Sequence, residues 1–177
     1  MKKIILLLSL YFVNTDAFSQ NIIFQDNFEK GKLNAAWKIA GGQWSVVNLE
    51  SKGIKPPPGG NNFALASMGN ADITIDIPVE NNSLSVTTQF NFNYWIHFKG
   101  AKGTVSILFL RESGDSISSV HFAELPEKGG DWDLFNQQFK VPGGTSVIRL
   151  KLVARAPIVG GNTFYIQSIC FGCNRRR

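Results

Sequence analysis

The sequence predicts an all-β protein, an antiparallel sandwich of the jelly-roll type with about ten strands. Three observations carry that expectation. Apolar residues recur with period two along short stretches and nowhere sustain the 3.6-residue period of an amphipathic helix. Clusters of Gly, Asn, Pro and Asp separate those stretches, among them Gly41-Gly42, Gly69-Asn70, Asn81-Asn82, Gly129-Gly130 and Pro142-Gly143-Gly144. At 177 residues the chain suits one domain able to bury a substantial core without metals or cross-links.

The chain begins with a segment set apart from the fold. Lys2 and Lys3 precede an apolar run from Ile4 to Val13, and Ala17-Phe18-Ser19 places small residues where a cleavage site before Gln20 requires them. This is the pattern of a secretory signal peptide over residues 1–19, too short in its apolar part to span a bilayer. The expected mature product is the domain 20–174 with a basic tail at 175–177, exported to the periplasm, the outer surface or the medium. No later stretch approaches the roughly 18 apolar residues of a membrane helix.

The formal charge of +5 loses one unit when Lys2, Lys3 and Asp16 are removed, and Arg175, Arg176 and Arg177 supply much of the remainder. A distributed Lys/Arg face of the sort that nucleic-acid binding needs is missing, so nucleic acid is not an expected partner.

Taken in order, the expected strands are Ile22 to Gln25, Gln43 to Asn48, Phe63 to Ser67, Asp72 to Pro78, Ser83 to Phe98, Thr104 to Arg111, Ser116 to Glu124, Trp132 to Val141, Ser146 to Ala154 and Thr163 to Cys170. Leu33 to Trp37 has room for one helical turn. Two connections exceed the usual length. Ser51 to Asn62 contains Pro56-Pro57-Pro58, a stiff piece that serves either a binding loop or a crossover between sheets, and Glu124 to Asp131 is the other.

Ser83 to Phe98 is the longest alternation. Leu84, Val86, Thr88, Phe90, Phe92, Tyr94, Ile96 and Phe98 occupy one phase and belong on a core; Gln89, Asn91, Asn93, Trp95 and His97 occupy the other. Same-phase neighbours in a strand lie about 6.6 to 7 Å apart, comparable to the repeat of sugar rings along a glycan. Amides pair with vicinal hydroxyls and an indole covers C–H patches, so this row is the candidate ligand surface. A solvated or protein-covered face reads equally well from the same residues. If Ser146 to Ala154 lies beside this strand, its outward Arg149 and Lys151 reach the same surface and favour acidic sugars.

Three segments together resemble the galactose-binding-like jelly rolls of carbohydrate-binding modules and of MAM and cleaved-adhesin domains. They are Phe24-Gln25-Asp26-Asn27-Phe28-Glu29-Lys30-Gly31 with Trp37, then Trp132-Asp133-Leu134-Phe135 with Phe139-Lys140-Val141-Pro142, and finally Phe164-Tyr165-Ile166-Gln167-Ser168-Ile169. The resemblance implies core or end-of-barrel packing for Trp37, Trp44 and Trp132, with core the reading preferred for all three. It also implies a structural calcium near Asp26, Glu29 and Gln167, with Gln167 standing where the pattern has Asp and so removing a charge that calcium wants. No other cofactor is expected.

The remaining chemistry-bearing residues are few. His97 and His121 are the two histidines, and neither has a carboxylate at an orienting spacing. Cys170-Phe171-Gly172-Cys173 follows a strand instead of opening a helix, so a disulfide between Cys170 and Cys173 is expected, with redox or zinc roles disfavoured. Nucleophile-elbow, zincin and phosphate-loop motifs are absent from the sequence, and no carboxylate pair is placed for glycoside hydrolysis. The expectation is an exported, non-catalytic module that binds carbohydrate through a concave strand face. The alternative is a structural or adhesive subunit docking a protein of a bacterial envelope or secretion assembly, with a jelly-roll lyase or hydrolase as a third reading.

Overall fold

The structure, a computed structural model, describes residues 20–79, 89–98, 102–122, 131–155 and 163–174, with side chains throughout except at 20–22, 89, 90, 98, 121, 122, 163, 173 and 174. The expected signal peptide, the basic tail, the strand portion at 83–88 and most of the connection at 124–131 lie outside the described residues. Among the described residues nine strands form: β1 Gln20–Asp26, β2 Trp37–Asn48, β3 Phe63–Pro78, β4 Gln89–Phe98, β5 Lys102–Leu110, β6 Ser116–Phe122, β7 Asp133–Lys140, β8 Val147–Arg155 and β9 Thr163–Asn174. The Leu33–Trp37 segment makes a single turn, closed by Trp37 N–H donating to the Asn34 carbonyl at 3.0 Å.

Every pairing is antiparallel, in the order β6-β5-β8-β3-β9-β4-β7, with β1 on β9 and β2 on β3. The ladder folds over because β3 serves two neighbours. Ala71 to Pro78 pairs with β8, whereas Leu65 to Met68 pairs with β9. The Gly69-Asn70 step between these halves is therefore a corner, and the two strands expected at Phe63–Ser67 and Asp72–Pro78 are one. β2 bends alongside, with its register broken on both sides of Gly41.

The two layers share one core. Ile73, Ile75, Ile148, Leu150 and Leu152 face it from the first layer, and Phe92, Tyr94, Ile96, Ile166 and Phe171 from the second. Phe109 of β5 meets Phe139 of β7 across the layers, ring centroids 5.7 Å apart. The period-two pattern that makes each strand thus delivers one apolar face to a common interior. Trp37 and Trp44 are buried in it, as expected. Phe24 meets Trp37 edge-on, and the indole Nε1 of Trp37 donates to Asp26 Oδ2 at 3.0 Å, which locks β1 to the start of β2.

Candidate functional site

β4 lies between β9 and β7, and its phases divide as the alternation predicts wherever side chains are described. Phe92, Tyr94 and Ile96 are buried in the core, while Asn91, Asn93 and Trp95 are half-buried on the opposite, outer face. The Gln89 side chain lies outside the described residues.

Register assembles the site from three strands. Asn91 stands between Gln138 of β7 and Gly172 of β9; Asn93 stands between Asn136 and Cys170; Trp95 stands between Leu134 and Gln167. Leu134 is 54% exposed, and Asn136 and Gln138 are also exposed. The result is a block of amides ending in an indole and an isobutyl group. Asn93 Oδ1 is buried and has no hydrogen-bond partner among the described residues. None of these residues is charged, so the chemistry offered is amide donors and acceptors beside apolar surface.

Beyond Trp95 the same face is covered by the chain itself. A second apolar cluster of Leu49, Ile54, Ala64, Ala66 and Tyr165, with Val47 and Trp132 against it, seats the connection from Leu49 to Asn62 on the sheet. Ala64 and Ala66 are small enough to let that connection lie close. Trp132 Nε1 donates to the Lys55 carbonyl at 2.6 Å, so the proline-containing segment is a cover tied to the start of β7.

Several expected site residues are placed elsewhere by this arrangement. His97 is 6% exposed, its ring lying 5.4 Å from Trp132 and 5.6 Å from Tyr165, with Nδ1 3.3 Å from the Asp131 carbonyl. It supports the cover and is not part of the open surface. Trp132 belongs to this outer cluster and not to the main core. The His121 side chain lies outside the described residues.

Arg149 and Lys151 are on the other layer, because β8 pairs with β3 and β5 and not with β4. There they answer carboxylates. Arg149 holds Asp76 through Nε to Oδ1 at 2.6 Å and a second bond at 2.9 Å, Lys38 joins at 3.2 Å, and Asp72 takes Arg155 at 2.7 Å and Lys151 at 4.0 Å. The Arg149 guanidinium, with Lys38 helping, holds the Asp76 carboxyl below its ordinary range. A lowered carboxyl contributes stability that is present above about pH 4 and is lost as pH falls through the folded-state pKa. Asp76→Asn should therefore flatten the fall in melting temperature below pH 4, while changing neutral-pH stability by no more than about 1 kcal/mol. An unchanged acid limb would remove Asp76 from the account.

The implied calcium set does not assemble. Both carboxylate oxygens of Asp26 accept from within the chain, Oδ1 from Phe28 N–H and Oδ2 from Trp37 Nε1, each at 3.0 Å. Glu29 is exposed, and Gln167 is fully buried with its amide nitrogen on backbone carbonyls. Among the described residues no group of three or more His, Cys, Asp and Glu stands together. A calcium ion needs six to eight oxygens with carboxylates among them, and these residues do not provide them.

The expected disulfide is also corrected. Cys170 is a free thiol. Both positions lie within β9, where backbone positions three residues apart are about 10 Å distant, beyond the roughly 7 Å limit of a disulfide; the Cys173 side chain lies outside the described residues. Burial raises the Cys170 thiol pKa, which favours the protonated form beside Asn93.

No protein-family model matches the chain, and no curated protein matches it. Solved structures do. The CBM22-1 xylan-binding domain of Paenibacillus barcinonensis Xyn10C superposes with a TM-score of 0.63 at 12% identity, covering 91% of this chain and 99% of that one. TmCBM61 in complex with β-1,4-galactotriose gives 0.54 at 16% identity, covering 82% and 92%. The enzymatically active domain of bacteriophage CBA120 tailspike protein 4 gives 0.64 at 15% identity over 84% of this chain, which spans only 21% of that solved chain. Likeness at such identities concerns architecture alone: the chain shares the antiparallel jelly-roll fold of these carbohydrate-binding modules.

Proposed function

We propose that this protein is an exported, non-catalytic module that binds a glycan on the open part of its outer sheet face, with Trp95 as the stacking platform and Asn91, Asn93, Asn136 and Gln138 as hydroxyl partners. The observation that carries the reading is the three-strand block itself. Half-buried amides and an indole of β4 stand in register with exposed amides and Leu134 of β7, while further along that face the chain's own connection seals the sheet. A solvated face has no need of an indole at its edge, and a core-supporting face would be sealed throughout. The fold shared with carbohydrate-binding modules agrees with this use but does not identify the ligand.

The test is retention of the purified chain on a glycan array, with Trp95→Ala beside it. A central aromatic anchor is worth roughly 2 kcal/mol, so about a 30-fold loss of affinity is expected. The melting temperature should stay within roughly 4 °C, since Trp95 is outside the core. Retention surviving the substitution, or lost only in step with stability, would refute the reading. Silence on every glycan together with co-purification of one envelope protein would instead favour docking of the same face on a protein. New reducing ends or unsaturated products released from a polysaccharide would show catalysis.

A further inference from the structure

We propose that the side-chain amide of Gln167 stands in for a structural cation, so that this jelly roll is held together at that point by hydrogen bonds and is indifferent to calcium. Gln167 Nε2 donates to the Asn61 carbonyl at 2.5 Å and to the Phe63 carbonyl at 2.7 Å, and lies 3.3 Å from Asn61 Oδ1. Three oxygens from one short segment converge on one point. A calcium ion would sit 2.3 to 2.6 Å from such oxygens. The amide nitrogen occupies nearly that position, and its two hydrogens satisfy the two carbonyls in the ion's place.

The node joins three parts of the chain. Asn61 Nδ2 donates to the Asn27 carbonyl at 2.7 Å, and Asn61 Oδ1 accepts from Phe63 N–H at 2.7 Å. Gln167 thereby pins the end of the covering connection, the turn after β1 and the start of β3 to β9. The orientation of the amide follows from its neighbours, because turning it over would set Oε1 against two carbonyl oxygens. Gln167 is fully buried, and its Oε1 is buried without a partner among the described residues, facing the space above Gly60 that a Cβ there would occupy. The glycine makes room for the amide oxygen. Carboxylates that would draw an ion to this point are engaged or exposed, as Asp26 and Glu29 show.

The experiment uses the full chain. Its melting temperature is measured in a calcium chelator and in millimolar calcium, and calcium is titrated into it by calorimetry. No shift and no heat are expected; a calcium-dependent rise in melting temperature or saturable binding would overturn the proposal. Gln167→Glu keeps the shape and replaces the donor with a carboxylate oxygen. In chelator it should melt roughly 6 to 12 °C lower than the parent, since it turns a buried donor into a charge facing carbonyls. Calcium should then recover part of that loss. Q167E as stable as the parent in chelator would show that the amide does not hold the node, and would equally overturn the proposal. If Q167E does not accumulate folded, Gln167→Met supplies the second variant: similar in volume and lacking a donor, it should melt several degrees lower and stay indifferent to calcium.

Discussion

Gly42→Val is expected to cost about 3 kcal/mol or more, and to leave little soluble protein. Gly42 has φ +71°, a region that side-chain-bearing residues enter only at a penalty. A Cβ there would lie 2.6 Å from Ala71 Cα and closer still to the Asn70 carbonyl oxygen. These are backbone atoms that cannot rotate away. They belong to the β3 corner, so the clash sits where both strands turn from one layer into the other. Gly41 is the control: it has no positive φ and a Cβ would meet nothing within 4 Å, so Gly41→Ala should be neutral or slightly stabilising. Equilibrium denaturation reads both. A Gly42→Val midpoint equal to the parent's would mean that β2 does not bend here.

The same glycines explain what was legible in the sequence and what was not. Period-two alternation located part of every described strand, missing the first half of β2 from Trp37 to Gly42, and placed Phe92, Tyr94 and Ile96 inward, because burial of a pleated ribbon leaves no other phase open. Gly69-Asn70 and Gly41-Gly42 read as breaks, since a turn between strands and a corner within one use the same residues. Which strand neighbours which is set by long-range pairing that local pattern does not encode; hence Arg149 and Lys151 were expected beside β4 and lie on the other layer. His97 shares a phase with Trp95, yet His97 is buried beside Trp132 and Tyr165 while Trp95 is only half-buried. Asn136 and Gln138 were visible as alternate amides in the Trp132–Val141 strand, and only the pairing of β7 with β4 gives them a role. Gln167 was recognised as a missing carboxylate. That its nitrogen takes up the carbonyls depends on Asn61 and Phe63, more than a hundred residues away in sequence.

Phe164→Ala is expected to lower stability by about 3 to 5 kcal/mol, and the way it couples to Gly103 tests how the two layers close. Phe164 is fully buried on β9, its ring 5.9 Å from that of Trp44 and nearly perpendicular to it. From the opposite layer, Gly103 of β5 presents bare backbone to the same ring, where a Cβ would run into Cδ2 and Cε2 of Phe164. Gly103→Ala alone should therefore overpack the interface and cost about 1 to 3 kcal/mol. Phe164→Leu alone should cost less than Phe164→Ala, because leucine fills part of the space. Leucine has no atom where the outer ring carbons lie, so the double variant should be more stable than the sum of its parts by about 1 kcal/mol. The alanine Cβ would still sit 3.2 Å from the Val153 carbonyl oxygen, which keeps the rescue partial. Denaturation midpoints of the four proteins give the cycle, with slopes checked for constancy. Strict additivity would mean that ring and glycine do not touch, and the two sheets would then have to meet by some other face than the one on which Trp95 is left outside.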